Sequence, residues 1–464
     1  MLVRSSLIAV AGLSTALAAA VPSQLFDQAV YSKLSATAAL SATAWPEYTA
    51  SNGSWATFDD SDWTTAFLPS TFYALNHRHT VLCPATTPSS TNGSDVDWLV
   101  LARTWSAPIF SPSLSLEEAW VHDVGFSSWV ASAELALGAN ETAQATLMQE
   151  AEYLASRFSS IVGCTRSWDR GDGDFEVIID NMMNLQLLVH AAEISGNGTY
   201  LEMATSHANK TLTNQIREDG SSFHVIDYSP TTGDVQWSGT AQGYSNSSTW
   251  SRGQAWGVNG FALMYNATKD ITYLDTSRRM ASYFVDHLPD VGVSYWDFDA
   301  PLPSTLDTSA SLIASSALLL ISSLESSLSN STGAQFYSDA AVTLLSNIVE
   351  QGVTEWEGAS LVGNGTVNNR ADPPNNNTGI IYGDYYFIEA GNQLLSLGLA
   401  NCTDGSPAVG SSSASSGSSS GGSSTVSCAS SPSSSSTPSS RASHLRPPSL
   451  ARWLSNARRS WMDL

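Results

Sequence analysis

The chain has 464 residues, of which 42% are hydrophobic, so it can bury a sizeable core as one large domain or two ordinary ones. Its formal net charge of −23 at pH 7 disfavours nucleic acid and anionic membranes as partners. The same charge would repel an acidic substrate at long range. Such a substrate would therefore need a local basic or hydrogen-bonding pocket.

The N-terminus has the pattern of a secretory signal over residues 1–20. Arg4 gives the charged start, residues 7–17 form a short apolar stretch, and three alanines at 18–20 form a small-residue cleavage site. Eleven Asn-x-Ser/Thr sequons support export and predict a glycoprotein. We expect no later run to be long and apolar enough to span a bilayer. The protein is therefore predicted to be secreted and extracellular, with no membrane partner.

The C-terminal part differs in composition from the rest of the chain. From about Asp404 it is dominated by Ser and Gly, which cannot bury enough apolar area to offset the entropy of ordering. The predicted organisation is a signal peptide at 1–20, one folded domain at 21–404 and a disordered Ser-rich tail at 405–464. The four cysteines are compatible with two disulfides, whose three possible pairings stay open: Cys83, Cys164, Cys402 and Cys428.

The predicted folded domain is helical throughout. Apolar residues recur at helical spacing in the stretches 114–137, 142–158, 182–195, 255–265, 310–324 and 335–349. Six turn-rich segments lead into helices, near Trp63, Asp123, Asp180, Arg252, Asp307 and Asp384. Each interval fits two helices and their connections. Six such units predict an all-α fold, a closed (α/α)6 barrel whose inner helices begin at one mouth.

A cation and an indole stand four residues apart in the segment 251–257, Ser-Arg-Gly-Gln-Ala-Trp-Gly. On a helix Arg252 and Trp256 share one face. A guanidinium can hold a carboxylate bidentately and an indole can cover the apolar face of a sugar ring, so the pair suits a sugar acid. From these residues alone, a structural cation–π pair at a helix start is the stronger interpretation.

Two aspartates are candidate acid–base groups. Asp123 follows His122, and its neighbours at helical spacing are apolar, so an unpaired carboxylate there would be costly unless it has a partner or a function. Asp180 follows an apolar run and opens a helix, where Asp is also a favoured N-cap. Two carboxyl groups facing one cavity are the minimum for cleaving a glycosidic bond. Acidic pairs are common, so this pattern alone is weak.

Further binding candidates are Trp63, Trp168, His224 and Gln242, and fifteen tryptophans are many for one chain. Carbohydrate sites use indoles as stacking platforms, although a single Trp is more often a core residue. There is no His-Glu-x-x-His motif and no Cys/His spacing typical of a metal site, so we expect neither a metal nor a cofactor.

Taken in order, several motifs resemble one family over about Asp62 to Ala400. The chain is similar to the unsaturated glucuronyl hydrolases, glycoside hydrolase family 88, and to the related unsaturated rhamnogalacturonyl hydrolases. The resemblance is carried by Asp62-Trp63-Thr64, His122-Asp123-Val124-Gly125-Phe126, Ile178-Ile179-Asp180-Asn181, Ser222-Phe223-His224, Gln242-Gly243, the segment 248–257, Tyr295-Trp296-Asp297-Phe298 and Gly383-Asp384-Tyr385-Tyr386. The family fold is an (α/α)6 barrel, which agrees with the repeat.

The resemblance implies a hydrolase that removes a 4,5-unsaturated uronic acid from the non-reducing end of lyase-generated oligosaccharides, by hydration of the C4=C5 double bond. It implies that Asp180 donates a proton to C4 and activates the water that attacks C5, with Asp123 assisting. The implied substrate-binding residues are Trp63, His122, Trp168, His224, Gln242, Arg252 and Trp256. Differences at 66–68, 80–97 and 364–378 leave the preferred leaving sugar open. Asn368, Asn369 and Arg370 could line its side, although a solvated loop is the stronger interpretation of these three residues.

Three other functions stay open at this point. They are an unsaturated rhamnogalacturonyl hydrolase, another (α/α)6 carbohydrate-active enzyme such as a conventional hydrolase or uronate lyase, and a non-catalytic wall-binding protein. The presence of both Asp123 and Asp180 speaks against the last. We expect a monomer that binds an unsaturated uronic-acid oligosaccharide.

Overall fold

The computed structural model describes residues 19–41, 44–59, 62–84, 96–110, 122–169 and 173–402. The predicted signal peptide, apart from its last two residues, and the whole predicted Ser-rich tail lie outside these ranges.

Helices make up most of the described chain. The twelve α-helices are α1 (Gln28–Ala38), α2 (Phe67–His77), α3 (Trp98–Ser106), α4 (Val124–Leu137), α5 (Glu141–Ser156), α6 (Asn181–Ser195), α7 (Gly198–Asn214), α8 (Ser251–Thr268), α9 (Ile271–Asp286), α10 (Thr308–Ser327), α11 (Ser331–Gly352) and α12 (Ile381–Ser396).

Six helices form a closed inner ring. In order α2, α4, α6, α8, α10 and α12 each contact the next, and α12 returns to contact α2. Five of them pair with the helix that follows in the chain, so α3, α5, α7, α9 and α11 lie outside the ring. The sixth inner helix, α12, contacts the short 3-10 turn Ser23–Leu25 that precedes α1. The predicted (α/α)6 barrel is confirmed.

The inner helices are apolar on almost every side because each is surrounded by protein. The clearest example is α10, which is long and apolar enough to cross a bilayer, contrary to the expectation from the sequence. In the barrel 94% of its apolar window is buried, between α8 on one side and α12 on the other. Its composition is therefore that of a core helix.

In the part of the chain that the structure describes, nine short strands form four small antiparallel sheets in the loops. They are β1 (Trp45–Thr49) with β2 (Trp55–Phe58), β3 (Phe158–Ser159) with β4 (Cys164–Thr165), β5 (Phe175–Ile178) with β6 (Val225–Tyr228) and β7 (Val235–Gly239), and β8 (Gly365–Asn368) with β9 (Asn375–Thr378). In the three-stranded sheet Ile178 pairs with Val225, and the Ile179 N–H donates to the His224 carbonyl at 2.9 Å. This sheet places His224 beside Asp180.

One disulfide links the two ends of the barrel sequence. Cys83, just after the turn that ends the α2 segment, is bonded to Cys402, six residues beyond the end of α12. This pairing excludes a Cys402–Cys428 bridge. Cys164 is a buried free thiol.

Candidate active site

The starts of the six inner helices meet at one mouth of the barrel. The Trp63 ring lies 5.5 Å from Phe126 of α4 and 5.2 Å from Tyr382 of α12, measured between ring centroids. On the opposite side Arg252 Nη1 lies 3.0 Å from Asp307 Oδ2, which joins the starts of α8 and α10. The mouth therefore collects side chains that are far apart in sequence, as the repeat predicts.

Asp123 and Asp180 immediately precede α4 and α6, and neither accepts a capping bond from its helix. Three other aspartates that precede helices do accept one: Asp97, Asp270 and Asp307. The interpretation of Asp180 as a helix N-cap, which competed with a chemical role, is therefore wrong, because its carboxyl group accepts no hydrogen bond from the helix. Both carboxyl groups are free of helix capping.

Burial and mutual repulsion keep these two carboxyl groups ready to carry protons. Burial raises the pKa of Asp123 well above its usual range, and the neighbouring charge of Asp180 raises it further. Burial also raises the pKa of Asp180 to about 7, although the positive charge of Arg252 opposes the shift. A pair of close carboxyl groups with raised pKa values is what acid–base chemistry near neutral pH requires.

A histidine stands beside each aspartate. His122 Nε2 lies 3.3 Å from Asp123 Oδ1, and His224 Nε2 lies 3.7 Å from Asp180 Oδ2. Burial lowers the pKa of each histidine to about 3, so both rings are neutral. His122 Nε2, His224 Nε2 and Asp180 Oδ2 are buried without a hydrogen-bond partner. Buried polar atoms normally have partners, so these atoms indicate a place for substrate or water.

Arg252 is buried and holds the mouth together. Its Nη1 donates to Asp307 Oδ2 at 3.0 Å and to the Thr366 carbonyl at 2.6 Å. Its Nη2 donates to Gln242 Oε1 at 2.8 Å and to the Val367 carbonyl at 2.7 Å. The four Nη hydrogens are thus engaged with the protein. Bidentate binding of a substrate carboxylate by Arg252 stays a prediction. It would require some of these four hydrogen bonds to be replaced by hydrogen bonds to the substrate.

The three predicted tryptophans occupy different depths. Trp63 is partly exposed at the mouth, and Trp168 makes an edge contact with His224 at 6.1 Å between ring centroids. Trp256 is fully buried, packed against Phe126 at 5.4 Å. In this structure Trp63 and Trp168 border the site, whereas Trp256 supports it from below.

Two residues at the mouth were not among the sequence candidates. The Trp250 indole lies between His224, 4.4 Å away between ring centroids, and the Arg252 guanidinium, whose Cζ is 4.5 Å from the ring centroid. Tyr382 packs on the other side, 5.4 Å from Arg252 Cζ. Trp250 lies within the segment 248–257 that carries the family resemblance, but its indole was not predicted to take part in the site.

Within the described ranges, no group of three or more His, Cys, Asp or Glu side chains is arranged to hold a metal ion. A second cavity of about 150 Å³ lies deeper in the barrel, among the later turns of the inner helices. Trp129, His190 and Glu389 are among the residues that line it.

A closed ring of six inner helices, with a carboxyl pair and partly exposed indoles at its mouth, is typical of a carbohydrate-active enzyme of the (α/α)6 class. No protein-family model matches the chain. An unsaturated glucuronyl hydrolase of Formosa agariphila is 33% identical over 344 residues, which cover 71% of this chain and 79% of that protein.

Two further comparisons agree. An unsaturated chondroitin disaccharide hydrolase of Streptococcus pneumoniae is 32% identical over 289 residues, covering 58% of this chain and 69% of that protein. The crystal structure of the unsaturated glucuronyl hydrolase from Bacillus sp. GL1, described as responsible for glycosaminoglycan degradation, superposes with a TM-score of 0.70 at 29% identity. It covers 80% of this chain and 95% of that one. The chain belongs to the unsaturated glucuronyl hydrolases, which are glycoside hydrolases.

Proposed function

We propose that the enzyme removes a 4,5-unsaturated uronic acid from the non-reducing end of lyase-generated oligosaccharides by hydrating the C4=C5 double bond. The observation that carries this proposal is the pair Asp123 and Asp180, partly buried at the mouth with raised pKa values, in a chain that belongs to this family.

The reaction adds one water across an enol ether. A carboxylic acid gives its proton to C4, and the ring oxygen donates electrons to the positive charge that develops at C5. A carboxylate then takes a proton from water as the water oxygen bonds to C5. The resulting hemiketal opens to a ketone, which leaves a hemiacetal at C1 that expels the leaving sugar. Asp123 and Asp180 are the groups placed to move these two protons.

Substrate contacts follow from what each side chain still offers. Trp63 and Trp168 border the opening with partly exposed indole, which suits stacking on a sugar ring. Gln242 Oε1 accepts a hydrogen bond from Arg252, so the amide hydrogens of Gln242 are directed to other acceptors, such as the uronate carboxylate. His122 and Arg252 complete the proposed binding set. Trp256, predicted from the sequence to cover a sugar face, is fully buried and supports the site without reaching a substrate.

The β8–β9 hairpin is the proposed wall on the leaving-sugar side. Arg252 donates hydrogen bonds to the carbonyls of Thr366 and Val367 in β8. Arg370 Nη1 donates to the Gly243 carbonyl at 3.4 Å. Asn368 and Asn369 stand between these two anchors. We infer that this hairpin, rather than the aspartates, sets the preference for the leaving sugar.

The test is loss of the ultraviolet absorbance of the unsaturated uronate. Purified enzyme is mixed with lyase-generated disaccharides that differ in the leaving sugar, including chondroitin-derived and rhamnose-linked ones. We expect the absorbance to disappear with wild type and persist with Asp180→Asn. Glu389→Gln is the matched control, because it also changes a buried acid to its amide but in the deeper cavity. Wild type that consumed none of the disaccharides would refute the proposal.

We also propose that the enzyme is secreted and works as a monomer. The signal pattern at 1–20, the sequons and the Cys83–Cys402 disulfide support export, because disulfides persist in oxidising compartments. N-terminal sequencing of the protein from a secreting host should begin at Val21, and its mass should fall after deglycosylation. Truncation after Asp404, which keeps Cys402, should leave turnover unchanged if the tail is dispensable.

A further inference from the structure

The deeper cavity of about 150 Å³ lies on the axis of the barrel, because every inner helix contributes to its wall. Each helix does so with one face. The residues that α2 contributes are spaced three, four and seven apart, as one face of a helix requires: Ser70, Tyr73, Ala74 and His77. The cavity is thus enclosed by the inward faces of the ring and is not a gap between an inner and an outer helix.

A layer of aromatic rings separates the deeper cavity from the mouth. Phe126 lies 5.6 Å from Phe67 and 5.4 Å from Trp256, measured between ring centroids, and all three side chains are buried. Each stands one turn before the first cavity residue of its helix. At the other end His77 and Leu137, the last residues of α2 and α4, are partly exposed. The cavity therefore opens at the end of the barrel opposite to the mouth.

Three polar atoms in the wall of the deeper cavity are buried without a hydrogen-bond partner in the protein. They are Ser70 Oγ, Gln186 Nε2 and Gln393 Oε1, which come from α2, α6 and α12. Ser70 is 5% exposed and Gln393 is 6% exposed, so neither side chain projects into open solvent. Because buried polar atoms normally have partners, these three indicate a place for a ligand that can form hydrogen bonds.

The deeper cavity offers no unpaired charge to that ligand. Glu389 is the one Asp, Glu, Lys or Arg among the described residues that line it, and it is hydrogen-bonded to Asn392 and faces the charge of Arg78. Asn392 in turn accepts from Arg78 at 2.7 Å and donates to the Ala74 carbonyl at 3.0 Å. Burial lowers the pKa of His190 to about 4, so its ring is neutral. These pairings favour a neutral ligand.

The chemistry of the wall narrows the class of ligand. Gln393 Oε1 can only accept a hydrogen bond and Gln186 Nε2 can only donate one, and hydroxyl groups satisfy both. Trp129 and Tyr385, whose ring centroids are 5.2 Å apart, suit the C–H face of a sugar ring. A cavity of about 150 Å³ holds one six-membered ring, as such cavities hold benzene. A purely apolar ring would leave the three polar atoms unpaired.

We propose that the deeper cavity is a second carbohydrate-binding site, which takes one neutral monosaccharide in its pyranose form. The sugar enters from the end of the barrel opposite to the mouth and packs against Trp129 and Tyr385. Its hydroxyl groups form hydrogen bonds with Ser70, Gln186 and Gln393. Because the aromatic layer keeps this sugar away from the mouth, the proposal does not depend on the reaction proposed there.

Isothermal titration calorimetry with glucose, galactose and rhamnose, each added alone to the full chain, tests the site. At least one of these sugars should bind wild type. Gln393→Leu removes the unpaired acceptor at nearly constant volume and should weaken that binding by about tenfold or more. Gln242→Leu is the matched control, because it makes the same replacement at the mouth, and its Kd for the sugar should equal that of wild type.

Three results would overturn the proposal. If none of the three sugars binds, water alone satisfies the polar atoms of the cavity. If binding is lost in Gln242→Leu and kept in Gln393→Leu, the sugar occupies the mouth. If Gln393→Leu weakens the binding of glucuronate as much as that of the neutral sugars, the cavity does not select a neutral ligand.

Thermal unfolding with and without the sugar provides a second measurement, and Ser70→Ala a second variant if Gln393→Leu does not fold. Ser70→Ala removes one hydroxyl group and keeps the aromatic contacts. A saturating sugar should raise the Tm of wild type more than that of Ser70→Ala, because a ligand of the folded state stabilises it. Equal rises would refute the site. These measurements use no disaccharide, so they can fail while disaccharide hydrolysis is confirmed, or succeed while it is refuted.

Discussion

The mouth of the barrel and the cavity deeper inside it contain the same kinds of residue and differ in how these are paired. Burial raises the pKa of both Asp180 and Glu389 to about 7, and it lowers the pKa of His224 to about 3 and of His190 to about 4. A perturbed pKa therefore marks burial at both places and does not by itself locate the chemistry.

Pairing separates the two regions. At the mouth the carboxyl groups of Asp123 and Asp180 interact with each other, and each lies beside a histidine. In the cavity the charge that acts on Glu389 is Arg78, which is itself bonded to the Asn392 side chain and to the carbonyls of Leu25 and Ile388. Glu389 thus interacts with a guanidinium, whereas Asp123 and Asp180 interact with each other.

The sharpest test of this comparison is removal of one acid from each region. Asp180→Asn should lower kcat by at least about 10²–10⁴-fold, because it removes a proton-transfer group and keeps the shape. Asp123→Asn should lower kcat to a similar degree. Glu389→Gln should keep kcat close to that of wild type. Steady-state kinetics by the absorbance assay gives all three values, and near-normal turnover by Asp180→Asn would show that the proton-transfer assignment is wrong.

Removing the cation at the mouth should cost stability as well as binding. Arg252→Ala leaves the fully buried Asp307 without its ion-pair partner, a change that typically costs about 3–5 kcal/mol. It also frees the β8–β9 hairpin, so KM should rise more than kcat falls. Chemical denaturation measures the first effect and kinetics the second. Unchanged stability would mean that the contacts of Arg252 do not support the mouth.

The pH profile of kcat/KM distinguishes the two possible roles of Asp180. If Asp180 is the base, kcat/KM should rise about tenfold per pH unit below its pKa of about 7 and level off above it. The raised pKa of Asp123 should then give a falling limb at higher pH. If Asp180 were instead the proton donor, as the resemblance implies, kcat/KM would fall as pH rises through about 7.

The smallest expected effect is on stability in the deeper cavity. The folded-state pKa of Glu389 is raised from 4.5 to about 7, so between these values the folded state binds more protons than the unfolded state. Its contribution to stability is therefore present below about pH 4.5 and is lost as pH rises through about 7. Glu389→Gln should have a slightly higher Tm than wild type above pH 7 and no gain at pH 4.

An acid with the opposite shift provides the control for that measurement. Desolvation raises the pKa of Asp219, but hydrogen bonds from Ser221 and the charge of Arg217 outweigh it, so the pKa is lowered overall. Its contribution is therefore present at neutral pH and lost in acid. Asp219→Asn should lower the Tm slightly at pH 7. A Tm gain by both variants above pH 7 would show that the two shifts do not control stability.

Much of the mouth could be predicted because it depends on local pattern. Apolar residues at helical spacing predicted four of the six inner helices, α4, α6, α8 and α10, but neither α2 nor α12. The turn-rich segments predicted the points where functional side chains gather. Asp123 and Asp180 were recognisable as carboxyl groups at the starts of apolar helices. The residues next to Asp123 and Asp180 in the sequence were therefore enough to identify them as candidate functional residues.

What could not be predicted depends on contacts between distant segments. Arg252 is engaged by Asp307 and by the carbonyls of a hairpin more than a hundred residues away, which no helical spacing reveals. The spacing of Arg252 and Trp256 placed them on one face, but could not show that the indole is fully buried.

The Cys83–Cys402 bond also determines how the molecule would respond to a pulling force. The two cysteines are 319 residues apart in sequence, and the covalent loop that they close contains ten of the twelve α-helices found in the described ranges. Tension applied between the two ends of the chain would extend residues before Cys83, including α1 and α2, and then pass directly through the bond to the C-terminal segment. The other five inner helices would carry no load. Force applied between the two chain ends would therefore remove α1 and α2 while the part of the ring inside the covalent loop is mechanically shielded.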